Sequence, residues 1–373
     1  MYLEKLELKQ FRNYVETKLI FSPKINILIG ENAQGKTNLL EAIYVLATAR
    51  SHRTANDREL IEFKQESAAL RGTLVRQTGK TKMELILSRK GKKAKLNFLE
   101  QAKLSQYIGQ MNVILFAPED LALVKGAPAV RRRFIDMEFG QIDAHYLYNL
   151  TQYRTILKQR NHYLKQLQLK QTADYMLLDV LSDQLAAFGA EIIAKRIVFL
   201  TGLEKYAQKL QEQITHTKEK LQFRYETSVA AAAQKSVEDL YSALKLLYKT
   251  NRKKEIIQGT TLYGPHRDDV LFLINQKNVH VYGSQGQQRT TALALKLAEI
   301  DLMKEETGEY PILLLDDVLS ELDGSRQTQL LRTIQDKVQT FLTTPSISEI
   351  TRKLIKDPEV FRIKHGEVSV QNE

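Results

Sequence analysis

The sequence contains no cysteine among its 373 residues. Disulfides, thiolate-bound zinc and thiol catalysis are therefore excluded, and a chain without cysteine fits a reducing cytosol. Long apolar runs are missing as well, since none approaches the roughly 18 residues of a membrane span. The N-terminal stretch alternates like a strand and lacks the apolar core of a signal peptide. These absences predict a cytoplasmic protein.

What the chain has in excess is positive charge, with a formal net charge of +11 on a composition of 27% charged and 43% hydrophobic residues. The length suffices for a large core and for two domains. A basic excess of this size favours an acidic partner, most often nucleic acid, and a merely solvated basic surface is the alternative. Membrane-surface binding is less favoured, because the sequence shows no basic amphipathic helix with an aromatic face.

The most informative motif is a phosphate-binding loop at residues 30–37, which fits G-x-x-x-x-G-K-[ST] at every fixed position. Residues 24–29 before it are predicted to form a buried strand, and residues 38–48 after it a helix. Backbone N–H groups and the helix N-terminus can then cradle phosphates. The alternative is a structural glycine-rich turn, which the flanking strand and helix disfavour. We expect the nucleotide to contact Gly30, Glu31, Asn32, Ala33, Gln34, Gly35, Lys36 and Thr37.

Catalysis in such a loop needs a cation, a metal ligand and a carboxylate nearby. Lys36 would reach the β- and γ-phosphates, and the Thr37 hydroxyl would ligate Mg²⁺. The apolar run 312–315 predicts a strand buried on both faces, and Asp316 and Asp317 emerge at its C-terminal end, where α/β sheets place ligands. Asp316 would hold Mg²⁺ directly or through water, and Asp317 would orient or activate the attacking water. Two acidic residues that merely end a strand are the alternative.

Two further motifs are weak by themselves. Ser284, Gln285, Gly286 and Gln287 begin a predicted helix, where a hydroxyl and bare N–H groups could meet a phosphate, although an ordinary N-cap is the alternative. A Ser-x-x-Asp stretch at residues 320–323 follows the acidic strand and is by itself a turn or cap signal. The order along the chain is more specific: phosphate loop, Ser-x-Gly helix start, acidic strand and Ser-x-x-Asp turn.

The hydrophobic periodicity divides the chain into two ends of α/β character and a helical middle. Residues 1–29 are predicted as strands, 68–99 as an antiparallel meander and 112–116 as a further strand. Helical periodicity dominates residues 120–250, with two long helices joined by a turn at residues 171–174. The remaining predictions are strands at 260–263 and 270–282, a helix at 287–304, a strand at 311–315, a helix at 326–337 and a strand at 338–343.

We therefore predict an α/β fold in which one head is assembled from both termini. The head would comprise residues 1–119 and 255–373, and it would contain the antiparallel β meander. Residues 120–254 would form an inserted helical arm. The heptad-like pattern of this arm is too short and too interrupted for a long coiled coil.

The order of the motifs resembles that of the ATP-binding-cassette superfamily. The Ser-x-Gly helix start is similar to its signature motif, residues 312–317 to its Walker B strand and residues 320–323 to its D-loop. The superfamily usually carries His at a switch position after the last buried strand, where this chain offers Thr343 or Thr344. It also usually carries Glu at the position of Asp317, and we hypothesise slow hydrolysis from the shorter side chain.

Within that superfamily, a head split by a helical insertion is similar to the chromosome-maintenance and recombination ATPases. The resemblance also rests on LKQFRNY at residues 8–14, FAPEDL at 116–121, RRRF at 131–134 and YGPHRDD at 263–269. Together with SQGQQR and LLLDDVLSELD, these stretches resemble the bacterial recombination-mediator ATPases over residues 3–345.

The resemblance implies a switch operated by ATP and Mg²⁺. Two ATP molecules would close two subunits into a head-to-head dimer, each ATP lying between the phosphate loop of one subunit and the signature of the other. The dimer would bind single-stranded and gapped duplex DNA without sequence preference, in recombinational repair and replication restart. It would help mediator proteins, RecR-like and RecO-like, to load recombinase, and it would hydrolyse ATP slowly with stimulation by DNA.

The resemblance also assigns Arg12 and Asn13 as additional nucleotide contacts, for which a charged turn is the alternative. Clusters of cations are candidates for contacts to the DNA backbone, although each could equally be a solvated face. For His266 and Arg267, which are polar enough for a site, we favour a structural or subunit-interface role. The candidate DNA-binding residues are Lys92, Lys93, Lys95, Arg131, Arg132, Arg133, Arg252, Lys253 and Lys254.

Three other classes of protein compete with this interpretation. The nucleotide-binding subunit of a transporter would share the loop and the signature, but its head is compact, and the arm and the basic charge disfavour it. A small-molecule phosphoryl-transfer enzyme would need neither the signature nor a dimer. A structural protein with a relic nucleotide site would not need to keep Lys36, Thr37, Asp316 and Asp317 together.

Overall fold

A computed structural model describes residues 1–170, 174–215, 218–346, 355 and 357–370. The chain forms two compact units. The first comprises Met1–Leu121, the short segment Gln213–His216 and Ala292–Glu373, and the second comprises Ala122–Glu212 and Thr217–Thr291. Within the described residues, no helix is long and apolar enough to cross a membrane.

The first part of unit one is rich in strands. Its elements are β1 (Tyr2–Phe11), β2 (Tyr14–Ile20), β3 (Ile25–Ile29), α1 (Lys36–Thr48), β4 (Ser67–Arg76), β5 (Gly79–Ser88), β6 (Gly91–Leu96), β7 (Leu99–Glu100), α2 (Leu104–Tyr107) and β8 (Val113–Phe116). The predicted meander is confirmed, with Gly79 and Gly91 beginning its strands at positive φ.

The second unit is mostly helical. Its elements are α3 (Ala122–Lys125), α4 (Pro128–Ile142), α5 (Ala144–Gln168), α6 (Met176–Thr215), β9 (Leu221–Glu226), α7 (Val237–Thr250), α8 (Arg252–Gln258), β10 (Asp269–Ile274), β11 (Lys277–Asn278) and α9 (Val279–Tyr282). The two long predicted helices are confirmed as α5 and α6. Residues 171–173 of the predicted turn between them lie outside the described residues.

The chain then returns to unit one. The last elements are α10 (Gln285–Thr307), β12 (Ile312–Asp316), α11 (Val318–Glu321), α12 (Gly324–Ile334), β13 (Thr340–Thr344), β14 (Glu359–Lys364) and β15 (Glu367–Val370). The predicted helices at 287–304 and 326–337 and the strands at 311–315 and 338–343 are therefore present, with boundaries shifted by a few residues.

Two sheets build the first unit. One is antiparallel, in the order β2-β1-β4-β5-β6-β7, and the other has the order β15-β14-β3-β13-β12-β8. In the second sheet β14, β3, β13, β12 and β8 run parallel and β15 is antiparallel to β14. Helix α1 contacts strands of both sheets and is almost wholly buried. Because strands β3 and β12 end at the same edge of a parallel sheet, the phosphate loop and the acidic residues meet there.

One strand prediction in the second unit is wrong and another is confirmed only in part. Residues 260–263 form no strand, because side chains occupy their backbone donors: Asn161 accepts from the Thr261 N–H at 2.8 Å and Glu255 from the Leu262 N–H at 2.8 Å. The predicted strand at 270–282 ends early, and its last four residues form α9. The Asn278 side chain caps that helix by accepting from the His280 N–H at 2.9 Å, and this cap outweighs the strand-like alternation.

The structural division also differs from the predicted domain boundary at one place. Residues 255–291 group with the helical unit, whereas the sequence suggests a head that starts again at residue 255. The reason is the antiparallel pairing of β9 with β10, which ties this segment to the end of the arm. Whether the segment works with the head stays a prediction.

Candidate nucleotide-binding site

The phosphate loop connects β3 to α1 in the conformation that its glycines permit. Gly35 has φ +116°, and a Cβ there would lie 2.6 Å from the Asn13 side-chain nitrogen. A Cβ on Gly30 would lie 2.4 Å from the Ile363 carbonyl oxygen. Gly30 is therefore required by close packing against backbone, whereas Gly35 is required mainly by its backbone angle. Glu31, Asn32 and Ala33 are exposed at the tip of the loop, where a ligand can reach their backbone.

Lys36, the first residue of α1, folds back over this loop. Its ammonium donates to the carbonyl oxygens of Gly30 and Glu31, the latter at 2.9 Å. Burial lowers the pKa of Lys36, and the nearby carboxylates of Asp317 and Asp316 oppose that shift. The fold thus places a cation over the loop, where two loop carbonyls accept its hydrogen bonds.

Three oxygen atoms converge where β12 and β13 end beside the loop. The Thr37 hydroxyl donates to Asp316 Oδ1 at 3.0 Å, and the Thr343 hydroxyl donates to the same oxygen at 2.9 Å. Thr37 and Asp316 are 279 residues apart in sequence, and the parallel sheet brings them together. Asp316 is buried, so its carboxylate has a fixed position.

Asp317, by contrast, is exposed and takes a left-handed backbone conformation with φ 52°. Its N–H donates to the Thr343 hydroxyl at 2.9 Å. Thr343 therefore contacts both acidic residues, whereas Thr344 donates to the Ser346 carbonyl. Of the two threonines considered from the sequence, Thr343 is the one that contacts the acidic residues, and its role as the switch residue stays a prediction.

The side chains of the D-loop-like turn make hydrogen bonds to residues close to them in sequence. Ser320 donates its hydroxyl to the Asp317 carbonyl at 2.7 Å. Asp323 caps α12 by accepting from the Arg326 N–H at 3.0 Å. Both contacts match the turn-and-cap alternative that the sequence left open.

Two turns brace the phosphate loop from outside. Asn13 donates its side-chain amide to the Gln34 carbonyl at 3.3 Å, and Tyr14 donates its hydroxyl to the Gly35 carbonyl at 2.9 Å. On the other side, the His365 N–H donates to Gln34 Oε1 at 2.8 Å and the Gly366 N–H to the Gln34 carbonyl at 3.0 Å. The second turn was not predicted, because it lies about 330 residues from the loop in sequence.

Arg12 is engaged by a buried carboxylate. Its guanidinium donates two hydrogen bonds of 2.9 Å to Glu41, which is fully buried on α1. Ser51 and Arg53 also donate to Glu41. Burial alone would raise the pKa of Glu41, but the hydrogen bonds from Arg12 and Ser51 lower it below its ordinary value. In this structure Arg12 anchors the first β-hairpin to α1, and its predicted contact with nucleotide stays a prediction.

His52 adds a neutral group next to this cluster. Burial lowers its pKa, although the carboxylates of Glu41 and Asp316 act in the opposite direction. Its ring packs edge-on against Tyr44, with centroids 5.4 Å apart. Sequence reasoning missed Glu41, Ser51 and His52, because no local pattern marks a buried polar residue on an otherwise apolar helix or in the turn that follows it.

The signature-like segment forms a reciprocal cap at the start of α10. The Gln287 N–H donates to the Ser284 hydroxyl oxygen at 3.2 Å, and the Ser284 N–H donates to Gln287 Oε1 at 2.9 Å. Gln287 also donates to Glu219 at 2.9 Å. Ser284 and Gln285 are exposed. The N-cap predicted as the alternative is thus present, and a hydroxyl that accepts a hydrogen bond in such a cap still carries its own donor hydrogen.

The candidate DNA-binding cations differ widely in their surroundings. Arg131 is buried and bonded to both oxygens of Asp269 at 2.7 and 2.8 Å, which argues against its predicted DNA contact. Lys92 is bonded to the Ala49 carbonyl and to Asp57. Lys93, Arg133, Lys253 and Lys254 are exposed, and among the described residues Lys93 has only a 3.5 Å ion pair with Glu100 while the other three have none.

The residues at the loop fit Mg²⁺ bound together with a nucleotide. Thr37 and Asp316 present hard oxygen atoms 3.0 Å apart, and Mg²⁺ prefers one or two such protein ligands completed by phosphate oxygens and water. Among the described residues, no group of three or more His, Cys, Asp or Glu could hold a metal without a nucleotide. The donor set therefore suits a metal that arrives with ATP.

A phosphate loop, a buried Walker B aspartate and a capped signature-like helix, on an α/β fold with an inserted helical region, define a protein of the ATP-binding-cassette class. The comparisons agree. Residues 2–353 match the family described as "RecF/RecN/SMC N terminal domain". The chain therefore belongs to the RecF/RecN/SMC family, and within it to the RecF proteins.

The similarity to curated relatives extends over almost the whole chain. A protein from Ligilactobacillus salivarius (strain UCC118) called "DNA replication and repair protein RecF" is 66% identical over 372 residues, covering 100% of this chain and 98% of the relative. A Bacillus velezensis (strain DSM 23117 / BGSC 10A6 / LMG 26770 / FZB42) protein of the same name is 54% identical over 366 residues, covering 98% and 99%.

Solved structures give the same result. The chain matches the "recombination mediator protein RecF-ATP in RecFOR pathway" with TM-score 0.92 and 34% identity, over 100% of this chain and 98% of that one. An Smc head bound to the C-winged helix domain of ScpA matches at TM-score 0.56 and 15% identity, covering 100% and 97%, and shows only the shared fold.

Proposed function

We propose that this protein is an ATP-operated DNA-binding switch of recombinational repair and replication restart. Two copies would associate when ATP binds, with residues 30–37 of one copy facing Ser284 and Gln287 of the other. The similarity to a RecF structure with ATP and to DNA replication and repair proteins supports this function.

The observation that carries the proposal is the convergence of Thr37, Thr343 and Asp316 beside the loop. Bonds between oxygens from three separate elements preorganise a polar centre at the sheet edge where nucleotides bind. A lone loop of this kind leaves the γ-phosphate open to water. A capped helix start from a second copy would cover it with N–H groups and the helix dipole.

Mg²⁺ held by Thr37 and Asp316 would neutralise charge on the phosphates when it is bound. Asp317, exposed at the end of the strand, would orient the attacking water, and Lys36 would leave the loop carbonyls for the phosphates. The aspartate reaches one methylene less far than glutamate, which supports slow hydrolysis. Hydrolysis would then end the association rather than power a step.

The basic net charge supports binding to the DNA backbone without base reading, to single strands and to gapped duplex. Because solved relatives are named for the RecFOR pathway, we propose RecR-like and RecO-like mediator proteins as partners. DNA-bound dimers would help these partners to load recombinase.

Analytical ultracentrifugation tests the switch. The full chain should sediment as a monomer without nucleotide and as a dimer with ATP and Mg²⁺, and Asp317→Asn should prolong the dimer. Lys36→Ala should stay monomeric. Ser284→Arg should bind ATP yet fail to dimerise, because the larger cation blocks the facing surface.

Ser236→Arg is the matched control for Ser284→Arg. Ser236 caps α7 through the same reciprocal arrangement with Asp239, so its loss costs a comparable cap, about 1 kcal/mol, without touching the proposed interface. A Ser284→Arg protein that dimerises like wild type would refute the signature assignment. A wild type that stays monomeric with ATP, together with a monomeric Asp317→Asn, would refute the switch itself.

A further inference from the structure

A second cavity, of about 200 Å³, lies wholly within the helical unit and is not used by the nucleotide site. Helices α4, α5 and α6 and the loop before β10 line it. His266 lies in the lining beside four arginines and one aspartate. These charged residues are Arg132, Arg133, Arg154, Arg196 and Asp136. The cavity therefore holds three positive charges in excess.

One arginine and the aspartate form the fixed frame of this cavity. Arg196 is 2% exposed and its nitrogens are all engaged, with the Tyr146 hydroxyl, the Pro265 carbonyl and Asp136 at 2.7–3.1 Å. Asp136 also accepts from Arg154 at 2.8 Å. Buried, fully bonded side chains of this kind hold a binding surface in one geometry.

The other arginines have capacity to spare. Arg132 uses one nitrogen on the Asp268 carbonyl at 2.7 Å. Arg154 is half exposed and bonds Asp136 through a single nitrogen. Arg133 is exposed and, in the part of the chain that the structure describes, its guanidinium makes no hydrogen bond or ion pair. Free N–H groups on three guanidiniums thus face one concave space.

Positive charge exceeds negative charge around the cavity. Burial, and then the charge of Arg196, lower the pKa of Arg132, and the carboxylates of Asp269, Asp268 and Asp136 oppose that shift. The pKa of His266 is lowered to about 4, first by burial and then by Arg267, Arg132 and Arg160, so its ring is neutral at pH 7. Like charges held together in this way destabilise the free protein, and a bound anion would relieve the repulsion.

We propose that this cavity binds a phosphate group, and specifically a phosphodiester of the DNA backbone. Planar guanidinium groups match the oxygens of phosphate through paired hydrogen bonds. The net charge of +11 favours nucleic acid as the source of that phosphate. This inference rests on the proposed DNA-binding function and gives it a location outside the nucleotide site.

Fluorescence anisotropy with a labelled duplex of arbitrary sequence tests the site. The full chain is titrated with ATP and Mg²⁺ at several salt concentrations. Arg133→Ala and Arg154→Ala should each weaken binding about tenfold, as loss of a charge-assisted bond does. Each should also reduce the slope of log affinity against log salt by about 0.9, the value for one phosphate contact. Arg133→Lys should restore most of the slope.

Arg224→Ala is the matched control, because Arg224 is an exposed arginine of the same unit that does not line the cavity. Its slope and affinity should equal those of wild type. Thermal unfolding of all variants checks that the unit stays folded. Wild-type slopes in both Arg133→Ala and Arg154→Ala would overturn the site, even when ATP-dependent DNA binding is intact.

Two further measurements separate the possible ligands. Inorganic phosphate should raise the unfolding temperature of wild type more than chloride at equal ionic strength, and less in Arg133→Ala. If phosphate stabilises wild type in this way but Arg133→Ala keeps the DNA slope of wild type, the backbone assignment is overturned in favour of a free phosphate. If Arg133→Ala loses binding to a labelled poly-glutamate peptide while its DNA slope stays at the wild-type value, the backbone assignment is overturned in favour of an acidic protein. If wild type binds no DNA under any condition, the proposed function fails first.

Discussion

At the scale of single residues, buried charged side chains with hydrogen-bond partners hold the candidate nucleotide site in place. Glu41 lies inside α1 and joins Arg12, Ser51 and Arg53. An unpaired carboxylate at that depth would be strongly unfavourable, so these donors determine both its charge and the position of the turn before β2.

Glu41→Gln should destabilise the protein by about 2 kcal/mol at pH 7, since it replaces charge-assisted hydrogen bonds with neutral ones. The folded-state pKa of Glu41 is lowered. Its contribution is therefore present above the unfolded-state pKa and is lost as the pH falls through the folded-state pKa. Urea unfolding at a series of pH values should show the difference between wild type and variant shrinking towards acid.

Glu66→Gln controls for the loss of charge itself. Glu66 pairs with Arg89 at the surface, where both side chains are more than half exposed, and such pairs contribute little. Its unfolding curve should stay close to that of wild type at all pH values. A Glu41→Gln protein that matches this control would show that the buried cluster does not stabilise the fold.

At the scale of elements, the loop between β3 and α1 depends on contacts from other parts of the first unit. The turn before β2 and the turn between β14 and β15 both bond to Gln34. Loops are generally more mobile than the elements that they connect, and such contacts restrain them. We infer that these two turns hold the loop ready for phosphates.

Gly35→Ala should cost more stability than Gly91→Ala, although the two glycines have similar φ values of +116° and +124°. A Cβ at Gly91 meets nothing within 4 Å, so that variant measures only backbone strain, about 1–3 kcal/mol. A Cβ at Gly35 would also displace the exposed Asn13 side chain and break its hydrogen bond to the Gln34 carbonyl, which adds about 1 kcal/mol. Urea unfolding compares them, and equal losses would contradict the tight packing around the loop.

At the scale of the whole molecule, the proposed ATP-dependent association and the proposed DNA binding have to act together. The phosphate loop lies in the first unit and the arginine cavity in the second. If ATP joins two copies, two such cavities are brought to one DNA molecule, and the second contact becomes intramolecular. Coupling between nucleotide and DNA then needs no additional contact.

The affinity for duplex DNA should therefore rise by at least tenfold when ATP and Mg²⁺ are added, which is modest for linked sites. It should fall steeply with salt in both states, because phosphate contacts release counterions. Anisotropy titrations of wild type and Lys36→Ala measure both effects. Lys36→Ala should keep the lower affinity with or without ATP, and a wild-type affinity indifferent to both ATP and salt would contradict the proposed switch.

The sequence alone determined the parts of this protein that depend on fixed spacing or on local periodicity. The phosphate loop, the acidic residues after β12 and the helices α5 and α6 are of this kind, since neighbouring residues carry the whole signal. Arg160 shows the limit. It occupies an apolar step of the α5 pattern, yet it is buried because Glu255, 95 residues away, neutralises it at 2.7 Å.

Only the tertiary structure decided which distant residues meet. It joined Thr343 to Asp316, Glu41 to Arg12 and the His365 turn to the phosphate loop, and it enclosed four arginines in one cavity while burying Arg131 against Asp269. The physical reason is that hydrogen bonds and charge pairs act over a few ångströms in space, whatever the separation in sequence. A pattern along the chain predicts an element, and the packing of elements decides the partners of each polar side chain.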